Sequence, residues 1–328
     1  MGQSQINYKI NEKGGVFGEV RTLILLYPFL FAYSYFLITP YLHGDQEHYR
    51  LFYNQISLGE NYEMLLLGLA SLGASEPLSL MAIATGALLG IDKDIYISLL
   101  NSLLLLLIYI YLRKNRTDIL LILLFMTQFY VVVLMTGAER LKIAYIFLML
   151  AAVNDGGGKR ILYIAGALLS HFQIALLLTS FFSASAINIK HGLKSGYSFK
   201  LICRGLIFLI FIVILLSIFG EAIVDKLRFY TDRSFSFIDL FQVLGLTVYL
   251  TFVVKYKLRI LLAMLPFCPI ILFLGGDRVN MIAFTVGMYF VILEGRQNSI
   301  SIYILMIYMF VKAVDFVSSI YLYGNGFA

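Results

Sequence analysis

The stretch MTGAERLKIAYIF (residues 135–147) places Glu139, Arg140 and Lys142 between two apolar runs, FMTQFYVVVLM before it and IAYIFLMLAAV after it. The small residues Thr136, Gly137 and Ala138 read as a tight turn, and the charged triplet reads as the first turn of a new helix. The segment is therefore a helical hairpin whose charges lie at one end of a membrane bundle. An ionisable side chain placed deep in a membrane helix costs about 2.5–3.5 kcal/mol on insertion scales, so charges in such a place are usually there for a partner or a ligand.

The same pattern recurs along the 328 residues. The chain is 60% hydrophobic and only 13% charged, with a mean hydropathy of +0.87. That balance excludes a soluble globular domain. Apolar stretches recur with no long polar block between them, so residues 1–328 form one polytopic domain rather than an anchor carrying a soluble module. The expected fold class is all-α, a polytopic helical integral membrane protein with about 9–11 membrane segments, one or two of them re-entrant or broken. Residues 1–21 lack the pattern of a signal peptide and are expected to be an uncleaved cytoplasmic tail.

Expected spans are 22–41, 95–112, 119–136, 141–153, 201–219, 237–254, 258–274, 279–293 and 299–318. Two further segments are ambiguous. Residues 62–90 are interrupted by GASEPLS, and the region 42–94 is expected to be an outer loop with an in-plane helix and a short re-entrant one. Residues 161–183 are long enough to cross but hold Ser170, His171 and Gln173 in their middle. If neither crosses, most Lys and Arg fall on the cytoplasmic side, as the positive-inside rule asks, and 220–236 becomes a second outer loop. A crossing at 161–183 would move the KYKLR and 190–204 clusters outside. Cys203 and Cys268 lie in apolar stretches and form no metal or redox pattern. The net charge of +6 is scattered over short loops, which argues against a nucleic-acid partner.

Several polar residues carry potential chemistry. Arg140 and Lys142 at a helix amino terminus make an anion site, or else are cations snorkelling from a short loop. His171 reads either as a neutral imidazole bonded to another helix or as a general base in a cavity. In HGDQEHYRLFYNQI (43–56), His43, Asp45, Glu47 and His48 fit no helical metal motif and read as solvated loop charge. The aromatics Tyr49, Phe52 and Tyr53 suit an interfacial helix or a sugar-stacking surface. In KLRFYTDRSF (226–235), Lys226, Arg228 and Arg233 suit either a pyrophosphate or anionic lipid headgroups. Glu76 before Pro77 is an acid at the mouth of a re-entrant helix or simply a charge favoured by the helix dipole.

These residues, in this order, resemble the EpsG-like branch of the Wzy-type polysaccharide repeat-unit polymerases, over most of the chain. The features that carry the resemblance are Asp45, Tyr49 and Phe52 after the first span, Glu76 and Pro77 in SEPL, Arg140 followed by Ala144, the turn at Lys159 and Arg160, the intramembrane His171, Tyr230 in a loop, and Arg278 at a late span start. Ser170 and Gln173 depart from the pattern. The resemblance implies a GT-C-like enzyme of the bacterial inner membrane, its active site facing the periplasm. It would transfer a growing glycan from undecaprenyl pyrophosphate to an incoming lipid-linked repeat unit by metal-independent inverting glycosyl transfer, without a cofactor. Membrane lipids and a chain-length regulator are the implied partners. On this reading Arg140 and Arg278 hold the pyrophosphate with help from Lys142, Lys226 and Arg228, and Tyr49 and Tyr230 contact sugar. The expected base is His171, with Glu76 or Asp45 as the alternative. Competing readings are a flippase for the same lipid-linked glycans, for which no internal repeat is found, and a membrane O-acyltransferase acting on the polymer.

Overall fold

The computed structural model describes residues 15–59, 68, 72, 76–154, 156–192, 237–274 and 276–327, and every regular element among them is a helix. In chain order these are α1 (Gly15–Ile38), α2 (Asp45–Ser57), α3 (Pro77–Leu88), α4 (Lys93–Lys114), α5 (Ile119–Thr127), α6 (Phe129–Thr136), α7 (Glu139–Val153), α8 (Gly157–Ser170), α9 (Ile174–Gly192), α10 (Phe237–Val253), α11 (Lys257–Met264), α12 (Phe267–Leu274), α13 (Gly276–Leu293) and α14 (Ile300–Tyr323). Among the described residues α4 and α14 are each long and apolar enough to cross a membrane, and α5 with α6 makes a third such span if the bent pair is counted as one. The all-helical membrane class expected from composition is the class observed. The expected span 201–219 and outer loop 220–236 lie outside the described residues.

Local sequence explains where the helices begin and end. Asp92 caps α4 by accepting from the backbone N–H groups of Asp94 and Ile95, while Arg113 and Lys114 in its last turn complement the helix dipole. Pro77 occupies the first turn of α3, where its missing N–H costs nothing. Gly324 ends α14 at φ 66°, a left-handed conformation that favours glycine.

Some expected boundaries are corrected by the structure. The first helix starts at Gly15, inside the region expected to be tail. The expected span 119–136 is two helices bent by 47°. The break falls at Gln128, whose backbone is extended and whose side chain accepts from the Tyr130 N–H at 2.7 Å, so the residue acts as an amino-terminal cap within an apolar run. The expected span 258–274 is likewise two short helices, α11 and α12, separated at Leu265 and Pro266. Proline has no N–H to continue the ladder there.

The segment 161–183 is a hairpin. The α8 helix runs back along α7 from the turn at Gly156, and Gly166 packs so closely on Phe147 that an added Cβ would lie 2.9 Å from the ring. The chain then leaves helical geometry at His171, whose backbone is extended. From there α9 returns, and Phe181 stacks its ring 4.7 Å from Tyr289 and 5.9 Å from Phe290, at the far end of α13. His171 is thus the tip, within electrostatic reach of Arg278 at the near end of α13. The α8 ladder ends with the His171 N–H on the Ala167 carbonyl at 3.0 Å, and the chain turns there, the Ile174 N–H bonding back to the His171 carbonyl at 3.1 Å.

The region 42–94 holds the short helices α2 and α3 among the described residues, while residues 60–67, 69–71 and 73–75, where the expected in-plane and re-entrant pair would divide, lie outside them. Tyr49, Phe52, Tyr53 and Ile56 of α2 bury against Leu80, Ile83, Ala84 and Ala87 of α3, both sets at helical spacing. Each large side chain so buried contributes about 1.5–3 kcal/mol relative to water. Arg50 ties α2 to α4 through an ion pair with Asp94 at 2.9 Å.

The close approach of α7 and α8 makes Gly166 a test of the hairpin. Gly166→Leu overpacks the contact and is expected to destabilise by about 1–3 kcal/mol, read as a lower unfolding midpoint in detergent. Gly158→Ala, where nothing lies within 4 Å of an added Cβ, leaves the midpoint unchanged.

Candidate functional site

Four parts of the chain meet at one end of the bundle. Glu76, the residue before α3, accepts a hydrogen bond from Nη1 of Arg140 at 2.9 Å and faces Nδ1 of His171 at 3.2 Å. All three are buried, at 1%, 6% and 3% exposure. Tyr49 completes the group beside the Arg140 guanidinium. Burial pushes the Tyr49 phenol above the ordinary tyrosine range, against the pull of Arg140 and Arg278, so it stays a neutral donor and acceptor at physiological pH. Arg278 itself pairs with Asp45 at 3.0 Å, in a more open position.

The backbone adds to the charge. The first turns of α2, α3, α7 and α13 carry Asp45, Pro77, Arg140 and Arg278 respectively, and α9 begins just after His171. Each helix amino terminus bears a partial positive charge and unpaired N–H groups. Two arginines and a histidine therefore sit among several positive helix ends, with two carboxylates to balance them.

A second polar cluster supports the first. Glu139 accepts from Nζ of Lys93 at 2.8 Å and from Nε2 of Gln46 at 2.9 Å, and Lys93 also donates to Gln46 Oε1 at 2.6 Å. The last carbonyls of α6 are satisfied from outside the helix: Gln46 donates to the Thr136 carbonyl, and Asn101 of α4 donates to that of Met135 at 3.0 Å. These bonds hold the turn that aims Arg140 at Glu76.

Of the residues singled out from sequence, Asp45, Tyr49, Glu76, Arg140, His171 and Arg278 come together. Lys142 does not. Residues 140 and 142 lie about 200° apart around a helix, so Lys142 faces the Glu139 side, fully buried and with no hydrogen-bond partner at Nζ among the described residues. Tyr49 is buried rather than open for a sugar to stack on. Lys226, Arg228 and Tyr230 lie outside the described residues. Among the described residues no group of three or more His, Cys, Asp or Glu side chains is placed to hold a metal ion. Gln46, Lys93 and Gln173 were not anticipated as parts of these clusters. The signal for Gln46 was its place on the same helical face as Tyr49 and Tyr53, a polar residue in a buried register.

The His171 ring has a defined chemistry. Nδ1 of His171 lies 3.2 Å from the Glu76 carboxylate and Nε2 lies 3.1 Å from Oε1 of Gln173, so both ring nitrogens face acceptors and the ring donates to one of them when neutral or to both when protonated. The carboxylate orients the imidazole and stabilises its protonated form, the arrangement a general base requires. No family model, no curated protein and no solved structure matches this chain.

The two ion pairs differ in their surroundings. Glu139→Ala leaves Lys93 buried without its counter-charge and is expected to cost about 3–5 kcal/mol. Arg278→Ala removes a pair whose side chains are 28% and 49% exposed, and is expected to cost about 0–1 kcal/mol. Thermal unfolding of the two variants in detergent measures the difference.

Proposed function

We propose that the chain is a glycan polymerase of the bacterial inner membrane, with about nine crossings and its active site facing the periplasm. The observation that carries this reading is the convergence of Arg140 and Arg278 with a carboxylate-oriented histidine among helix amino termini. The reaction needs those parts. A departing polyprenyl pyrophosphate needs fixed cations, and an acceptor hydroxyl needs a base.

In the proposed step, a sugar hydroxyl of the incoming lipid-linked repeat unit attacks the anomeric carbon of the growing glycan. The new C–O bond forms as the bond to pyrophosphate breaks, with inversion at that carbon. The hydroxyl proton passes to Nε2 of His171, and Glu76 stabilises the imidazolium. Undecaprenyl pyrophosphate leaves as an anion held by Arg140 and Arg278. Glu76 is in this reading a positioning residue, and Asp45 sets the orientation of Arg278. The step is metal-independent, and a GT-C-like relationship accords with the all-helical fold.

The test is reconstitution of the purified protein in vesicles with a synthetic polyprenyl-pyrophosphate repeat unit and neither metal nor nucleotide sugar. A ladder of product lengths is expected. His171→Gln is expected to slow transfer by about 10²–10⁴-fold while the protein remains in the membrane at normal level. Movement of the repeat unit across the bilayer with no ladder would overturn the polymerase reading in favour of a flippase.

A further inference from the structure

A second feature lies at the opposite end of the bundle from Glu76. A cavity of about 340 Å³ opens between α4, α7, α8, α9 and α13, with walls that include Leu148, Ile164, Leu178, Phe181 and Met288. Its deeper hydroxyls, Tyr145 and Thr285, satisfy one another at 2.7 Å. The interior is thus suited to an apolar chain.

The mouth is cationic. Arg160, in the first turn of α8, and Arg259, in the first turn of α11, both line the cavity. Neither has a carboxylate within ion-pair distance among the described residues. The Arg259 guanidinium rests 5.2 Å from the centre of the Phe290 ring, and its Nε is buried with no hydrogen-bond partner. Arg160 lies within electrostatic reach of Tyr111, which in turn faces Tyr289, the neighbour of Phe290. Two arginines without a carboxylate partner among the described residues therefore flank an apolar cavity at the end of the bundle away from Glu76.

We infer that this cavity binds an anionic phospholipid, its phosphate between Arg160 and Arg259 and an acyl chain inside. Charge complementarity selects the headgroup: a basic pocket between membrane helices at a bilayer surface favours acidic lipids, and an unpaired guanidinium is well matched to a phosphate. The occupant also has a structural consequence. Ile164 and Phe181 belong to the two arms of the hairpin whose tip is His171, and both arms line the cavity together with α13, on which Phe181 also packs through Tyr289. A bound chain fills that space and steadies the hairpin. The inference concerns a different site from the glycan reaction and does not depend on it.

The experiment is thermal unfolding of the full chain in neutral detergent with added phosphatidylglycerol or phosphatidylcholine of the same acyl chains. Phosphatidylglycerol is expected to raise the midpoint by several degrees and phosphatidylcholine to leave it nearly unchanged. The double variant Arg160→Gln, Arg259→Gln is expected to lose that difference. Should it fail to fold, Ala152→Phe, which fills the cavity from its wall, is expected to lose it too. An equal response to both lipids, or a phosphatidylglycerol response retained in the variant that folds, overturns the proposal. A response to polyprenyl monophosphate without one to phosphatidylglycerol also overturns it, and would assign the cavity to a substrate lipid instead.

Discussion

A carboxylate that is almost wholly buried must be compensated where it lies, and Glu76 imposes that demand on the fold. It sits at the start of a short helix, where the dipole helps but does not suffice. Its oxygens face the Arg140 guanidinium and the His171 imidazole. Satisfying one carboxylate thus fixes the rotation of α7 about its axis and the height of the hairpin tip between α8 and α9. The Glu139, Lys93 and Gln46 cluster acts on the same helix from its other face. Between them, the two clusters hold the first turn of α7 so that successive residues, 139 and 140, each meet an opposite charge.

The polar framework and the apolar packing are separate systems that meet at α7. Its first turn is held by charge, while its remaining turns pack through Phe147 onto Gly166 and through Ala144 and Tyr145 into the main core. Burial of Arg140 with a fixed partner gives it one orientation, whereas Arg278 pairs with Asp45 in a half-open position. Under the proposed reaction this is a useful division. A rigid cation fixes where the pyrophosphate lies, and a more exposed one can exchange a carboxylate for a phosphate at little cost.

Much of the fold class and several site residues were legible in the sequence, for a simple reason. In a chain this apolar, any charged or titratable residue inside a hydrophobic run stands out, and Glu76, Arg140, His171 and Arg278 were found that way. What failed was geometry. Lys142 was grouped with Arg140 because the two are near in sequence, although helical spacing places them on opposite faces. The aromatics Tyr49, Phe52 and Tyr53 suit an interfacial helix or a sugar-stacking surface by sequence, and the structure turns their face onto α3. The break at Gln128 was missed because the surrounding residues are all good membrane-helix formers, and only a side-chain cap ends the helix there.

The sequence by itself determined that the chain is a helical membrane protein, that a helix starts at Glu139, and which polar residues are too costly to bury without a purpose. Composition and local spacing decide those matters, since they depend on transfer energies and on neighbours within a turn or two. Only the tertiary structure decided that Glu76 serves both Arg140 and His171, that α8 and α9 form a hairpin, and that Lys142 belongs to another cluster. Those outcomes depend on which distant groups can satisfy one another once water is excluded, and a buried charge selects its partner by position in space rather than in sequence.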